Sequence, residues 1–279
     1  MAYKTILVVL RDPEDCQQVL DTALHLTEQF GSHLIGLHAE PVIRSSFAAP
    51  IEIPDASLFE LDRAEIEARM EAVAKDFREK CERAGVSWEW RPMRSLSGEN
   101  AQSALSSAHC ADIVVVRQHE EEKEEDAVDL EALILESGRP VLFVPYVGRR
   151  SLAVDKAIVA WNGTREAARA VFDALPLLQA ASAVEVLTVD PDDNPEQSKA
   201  MAGAEIAAAL TRHGVLVSVK TEVTNGLPAA AVIQNRLADT GSDLLVMGGY
   251  SKSRLREYLF GGVTRTMLKS MPNMTLMSR

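Results

Sequence analysis

The chain has only three cysteines in 279 residues, Cys16, Cys81 and Cys110, and no two of them form a Cys-x-x-Cys pair. Isolated and odd in number, they argue against a disulfide framework and a cysteine metal site, and a reducing cytoplasm is the expected compartment. Cys16 falls in line with Val19, Leu20 and Ala23 on one helical face, so its expected role is packing rather than reactivity. No apolar run approaches the ~18 residues that a bilayer span needs. The stretch from Met1 to Leu10 is too short for a signal peptide and reads as a first strand. Basic charge is also scarce. Lys and Arg total 29 against 41 Asp and Glu, a net charge of −12. That balance argues against a nucleic-acid backbone or an anionic membrane as the main partner, since both require clustered cations. The usual catalytic signatures are missing too: no Gly-x-Ser-x-Gly, no His-Glu-x-x-His, no Walker loop and no dinucleotide Gly-x-Gly-x-x-Gly. His213, just before Gly214, reads as a complement to a helix dipole.

What remains is ordinary in bulk and repetitive in detail. Hydrophobic residues make up 47% and charged residues 25%, the balance of a soluble globular protein. The length suits one large or two ordinary domains. Two halves can be laid side by side. Lys4 to Leu10 matches Lys156 to Trp161, and each is followed by polar turn residues and a helical pattern. Second strands are expected at His33 to His38 and Val184 to Val189. Long amphipathic helices follow, Asp62 to Ala84 and Glu196 to His213, each closed by a glycine, Gly85 or Gly214. Third strands fall at Val86 to Arg91 and Val215 to Val223, with further helices at Ala101 to Ala108 and Ala229 to Thr240. Fourth strands are Asp112 to Val116 and Asp243 to Met247; fifth strands are Pro140 to Val144 and Met274 to Met277. Short apolar strands alternating with helices predict parallel sheets covered on both faces. Tyr146 to Ser151 is the expected linker, dividing the chain into domains at 1–147 and 152–279. The first half is about 21 residues longer between its second strand and Gly85, around Ile43 to Phe59, which reads as a linker or flap.

The stretch Gly248 to Thr264 carries the strongest local signal. It follows the apolar run Leu244 to Met247, opens on glycines, holds Lys252, Arg254 and Arg256, and closes on Gly261-Gly262-Val263-Thr264. Backbone N–H groups in such a turn can face an anion. The same cations also read as solvated charges on a short helix. Two further places are candidates in the second half. Asn162-Gly163-Thr164 ends the first strand, where it can meet a ligand edge or simply form the turn and N-cap of the next helix. Gly226 precedes Leu227-Pro228 and another helix, either near a ligand or as an αL turn. The first half differs. Its fourth strand runs into Arg117, Arg11-Asp12-Pro13 ends its first strand, and Glu120 to Asp126 holds five Glu and one Asp against one Lys. That segment reads as a solvated acidic loop whose field repels a triphosphate.

These residues resemble the universal stress protein family. There a strand leads into Gly-x2-Gly-x9-Gly-Ser/Thr, a loop that holds ATP phosphates in the nucleotide-binding members. Gly248 and Gly261 match the first and third glycines; Ser251 replaces the second glycine, and Gly262 replaces the hydroxyl residue. Asn162 stands where such members carry an acidic residue. The resemblance covers the whole chain and implies an α/β fold: two tandem, open, five-stranded parallel-sheet sandwiches, Rossmann-like and similar to the adenine nucleotide alpha hydrolases. The ligand would lie at the carboxyl ends of the first and fourth strands, a topological switch point. It implies a cytoplasmic stress-response protein with an ATP, AMP or small-anion pocket, with Mg, in the second half. The implied contacts are Asn162, Gly163, Thr164, Val189, Gly226, Gly248, Ser251, Lys252, Gly261, Gly262, Val263 and Thr264. At most slow ATP hydrolysis is implied, and no catalytic residue. The alternatives are a nucleotide-independent scaffold that acts through protein contacts or another small ligand, and an enzyme of nucleotide chemistry on the same fold. The fifth strands are expected to pair as an internal pseudo-dimer, leaving a homodimer through another surface, such as Phe47 to Phe59, open.

Overall fold

The computed structural model describes residues 2–40, 56–94, 100–118, 130–147, 152–191, 203–250 and 262–279. The chain begins β1 (Thr5–Leu10), α1 (Pro13–Phe30), β2 (His33–Glu40), α2 (Ala56–Ala84), β3 (Ser87–Arg94), α3 (Asn100–Ala108), β4 (Ile113–Arg117), α4 (Leu130–Glu136) and β5 (Val141–Val144). The second half runs β6 (Lys156–Ala160), α5 (Arg165–Asp173), α6 (Leu175–Ala180), β7 (Ala183–Val189), α7 (Ala204–Arg212), β8 (Val217–Glu222), α8 (Ala229–Thr240), β9 (Leu244–Gly248), α9 (Val263–Lys269) and β10 (Met274–Ser278).

Each half is a parallel sheet, and the two join into one sheet of ten strands, ordered β3-β2-β1-β4-β5-β10-β9-β6-β7-β8. The joint is antiparallel: Phe143 faces Thr275, Leu142 faces Leu276 and Val141 faces Met277. Leu142 and Leu276 occupy the same place in their own halves, as the neighbouring registers show. A pseudo-two-fold axis therefore passes between them. Val141, Phe143 and Met277 are wholly buried there, and each such side chain contributes about 1.5–3 kcal/mol by leaving water. The expected pairing of the fifth strands is thus present. More bonds cross between the halves: Tyr3 Oη donates to Asp173 O at 2.7 Å and Gln118 Nε2 to Leu268 O at 3.0 Å.

Alternation sorts the apolar residues of each strand to two faces. Ile6, Val8 and Leu10 of β1 meet α1 and α2 on one side, with Cys16, Val73, Phe77 and Cys81. Leu7 and Val9 meet α3 and α4 on the other, with Ala104, Leu105 and Leu133. Burial on both faces explains why the central strands read as continuous apolar runs. Cys16 lies in the core as expected, on the face with Val19, Leu20 and Ala23. The start of α1 is fixed locally. Asp12 is its N-cap, accepting from Asp15 N, and Pro13 opens the helix.

Three expectations need correction. The match of Lys4 with Lys156 is one residue out of step. Asp112 Oδ2 accepts from the N–H groups of Lys4 and Thr5, and Asp243 Oδ2 accepts from those of Asp155 and Lys156, so Thr5 is the counterpart of Lys156. A one-residue slip exchanges the two faces of a strand; Ile6 and Ile158, matched by the lysines, pack on opposite sides. Second, α2 begins at Ala56 rather than Asp62. The end of the segment from Ile43 to Phe59 is therefore helix, and Phe47 lies outside the described residues. Third, the single helical pattern expected after Trp161 divides into α5 and α6 around Ala174, with Pro176 in the first turn of α6; proline cannot supply the N–H that a continuous helix requires.

Candidate functional site

In the second half β9 and β7 both flank β6, and the chain leaves the β6-β7-β8 side to form β9 on the other. All four strands are parallel. Their carboxyl ends therefore share one edge, and the crevice between β6 and β9 is a topological switch point. Asn162, Gly163 and Thr164 link β6 to α5. Val189 ends β7, Gly226 follows β8, Gly248 ends β9, and Gly262, Val263 and Thr264 open α9. The fold brings these nine together at one edge. Ser251, Lys252 and Gly261 lie outside the described residues, as do Arg254, Arg256 and Glu120 to Asp126.

Gly248 makes the tightest approach. A Cβ there would lie 2.6 Å from Ala167 N and 2.7 Å from Glu166 C. The end of β9 therefore touches the first turn of α5 backbone to backbone, which only glycine permits. The residues around it are already partly engaged. Asn162 Oδ1 accepts from Thr164 N at 3.2 Å and Thr164 Oγ1 at 2.8 Å. Thr164 Oγ1 in turn accepts from Ala167 N at 3.3 Å as the N-cap of α5. The turn-and-cap role is thus realised, and the Asn162 amide NH2 is the group left to face a ligand. Thr264 Oγ1 accepts from Tyr250 N at 3.1 Å and is buried. It steadies Tyr250, whose φ of 50° is in the left-handed region. Gly262 is the N-cap of α9 and makes no side-chain cap bond.

Two residues unnoticed in the sequence brace this edge. Asp190 follows Val189, and its carboxylate accepts from Thr224 N at 3.0 Å and from the Thr224 hydroxyl. Those bonds hold the Asp190 carboxyl below its usual pKa. They pin the turn Thr224–Leu227, closed by Leu227 N to Thr224 O at 2.9 Å, in which Gly226 has φ 87°. The signal available was an Asp-Pro pair directly after a strand. Glu166 stands beside Gly248 and pairs with Arg165 Nε at 2.6 Å. Burial alone would raise the Glu166 pKa, but the bond from Arg165 and nearby N–H and hydroxyl donors hold it below its usual value.

The same edge of the first half is filled. Arg117, the counterpart of Gly248, is 3% exposed and reaches Asp15 at 2.9 Å, Glu14 at 3.0 Å and Asp12 at 3.1 Å. Asp15 is 0% exposed and also takes Arg11 Nε at 3.0 Å. Burial by itself would lower the Arg117 pKa, yet the carboxylates of Asp15, Asp12 and Glu14 outweigh it and raise the value. An internal guanidinium thus lies against the first turn of α1, where β9 in the other half presents bare backbone. Among the described residues no group of three His, Cys, Asp or Glu could hold a metal ion. No helix among them is long and apolar enough to cross a membrane.

A doubly wound α/β protein is the class this arrangement defines, with the candidate site at the switch point of the second half. The universal stress protein family matches residues 153–279. A solved universal stress protein from Archaeoglobus fulgidus DSM 4304 superposes with a TM-score of 0.68 at 14% identity, over 99% of this chain and 96% of that one. A functionally unknown protein from Pseudomonas aeruginosa PAO1 does so at 0.60 and 16% identity, over 99% and 92%. A universal stress protein in complex with cAMP matches 54% of this chain and 100% of its own, at 0.37 and 19% identity. No curated protein matches the chain. Residues 153–279 thus match the universal stress protein family, and the whole chain shares the fold of these solved structures.

Proposed function

We propose that the chain is a cytoplasmic stress-response binding protein that takes one adenine nucleotide, ATP or AMP, in its second half only. The observation that carries this reading is the contrast between Gly248 and Arg117. The crevice beside β6 presents close backbone and no side chain at position 248, whereas the equivalent place beside β1 is closed by a buried ion cluster. In this reading the Asn162 amide and the backbone at Val189 meet the base and ribose. The backbone at Gly226, Gly248 and Gly262 to Thr264 meets the phosphates, joined by Ser251, Lys252 and Gly261 on the strength of the sequence pattern. Mg2+ would arrive on those phosphates and offset their charge beside Glu166. The exposed free thiol of Cys110 suits a reducing compartment. The domain limits 1–147 and 152–279 belong to the same proposal.

A second reading, a nucleotide-independent scaffold, is favoured by the prior engagement of Asn162 Oδ1 and Thr264 Oγ1. Calorimetric titration of the full chain with ATP and with AMP separates the two. The expected result is one site per chain, weakened at least tenfold by Gly248→Ala. A Cβ at 248 presses on the backbone of Glu166 and Ala167, so circular dichroism and a thermal melt of the variant are recorded alongside to separate lost binding from lost folding. Absence of binding by both nucleotides would overturn the nucleotide reading.

A further inference from the structure

Gly249 has no conformational need to be glycine, because its φ is outside the left-handed region. It is constrained by space. A Cβ on Gly249 would lie 2.6 Å from Cγ2 of Ile134, with Ser278 O at 3.7 Å and Met277 Cβ at 3.9 Å. Ile134 belongs to α4, in the other half of the chain, and is 1% exposed. Its Cγ2 sits on the branched carbon, so it cannot swing aside without leaving the χ1 rotamer that a helix prefers. The contact has a counterpart across the pseudo-two-fold axis. Gln118 stands where Gly249 does, Leu268 stands where Ile134 does, and Gln118 Nε2 donates to Leu268 O at 3.0 Å. One crossing is thus a side-chain hydrogen bond, and the other is a close approach of backbone to a methyl group.

The residues leaving β9 are held from three sides. Gly248 meets the first turn of α5. Gly249 N donates to Ser278 O at 2.8 Å. Tyr250 N donates to Thr264 Oγ1 at 3.1 Å. Ile134 closes the remaining side of Gly249, and it is the contribution from the first half. We propose that Ile134 is a positioning residue for the second half's site: α4 sets the path of Gly248 to Tyr250, so ligand affinity in one half depends on packing from the other. This gives the first half a part in binding without a ligand of its own. The inference rests on the nucleotide reading of the second half.

The test is a titration of ATP into four full-length proteins: the natural chain, Gly249→Ala, Gly249→Ala with Ile134→Ala, and Gly249→Ala with Ile134→Val. Valine keeps a methyl at the place of Cγ2, and alanine removes it. Gly249→Ala is expected to weaken ATP at least fivefold. Adding Ile134→Ala restores most of that loss, and adding Ile134→Val restores none. Equal affinity in the natural chain and Gly249→Ala overturns the inference, as does equal rescue by valine and alanine. If the natural chain binds neither ATP nor AMP, the nucleotide reading fails separately. The positioning role is then read from amide hydrogen exchange at Gly248 to Tyr250 in the same four proteins. Protection lost in Gly249→Ala and regained only with Ile134→Ala supports it, and unchanged protection overturns it.

Discussion

Arg117 and Gly248 end equivalent strands, β4 and β9, yet the first reaches the buried carboxylate of Asp15 and the more exposed ones of Asp12 and Glu14, and the second has no side chain at all. The carboxyl edges of the two half-sheets thus differ, one closed by side chains and the other bare at this position.

The closed edge is a stability element. Arg117→Met removes a guanidinium from Asp15, which keeps Arg11 as its other partner. Breaking a buried ion pair from one side costs about 3 kcal/mol. Urea unfolding should show that loss. Adding Asp15→Ala to Arg117→Met should cost less than the sum of the two single changes, because the residues share one network.

Burial pushes the thiols of Cys16 and Cys81 up to about 12 from a usual 9.0, with nearby carboxylates adding to the effect. A neutral thiol in the folded state that ionises in the unfolded state stabilises the fold below the usual value. That contribution is lost as pH rises from about 9 towards 12. Stability should therefore fall across this window, and less steeply in Cys16→Ala. Under native conditions a thiol reagent should modify the exposed Cys110 alone, and all three cysteines only after unfolding.

The antiparallel joint makes the two halves one cooperative body. Leu142 and Leu276 face each other at its centre, and both are buried. Leu276→Ala should cost about 2–5 kcal/mol and lower the stability of both halves together. Calorimetry should record a single transition in the natural chain. Two well-separated transitions would contradict the joint's role.

Gly262 caps α9 with no side-chain bond. Gly262→Ser supplies a hydroxyl, for a gain of a few tenths of a kcal/mol in stability, roughly 0.3. If that hydroxyl also meets phosphate, ATP affinity rises by about 0.5–1.5 kcal/mol. Thermal shifts with and without ATP distinguish the two contributions.

Much of the architecture was legible because strands buried on both faces are apolar throughout and end in turn residues. The repeat was visible, but its register was not. Both halves open on Lys-x-Ile, and the lysines attract a match that the Asp112 and Asp243 caps show to be one residue off. Arg117 stood out as a departure from glycine, yet its partners Asp12 and Asp15 come from about a hundred positions away, beyond what local pattern conveys. The contact of Gly249 with Ile134 joins two halves across the sheet joint. A glycine in a strand-to-loop turn reads as a turn, and only the packed neighbour shows that it is a space requirement.

The central claim is that a single nucleotide site lies in the second half. Photolabelling of the full chain with an azido-ATP, followed by peptide mapping, tests it most directly. The account predicts one label per chain, confined to peptides from 152–279 and competed by unlabelled ATP. Competed label on peptides from 2–147, or none on either half, would contradict it.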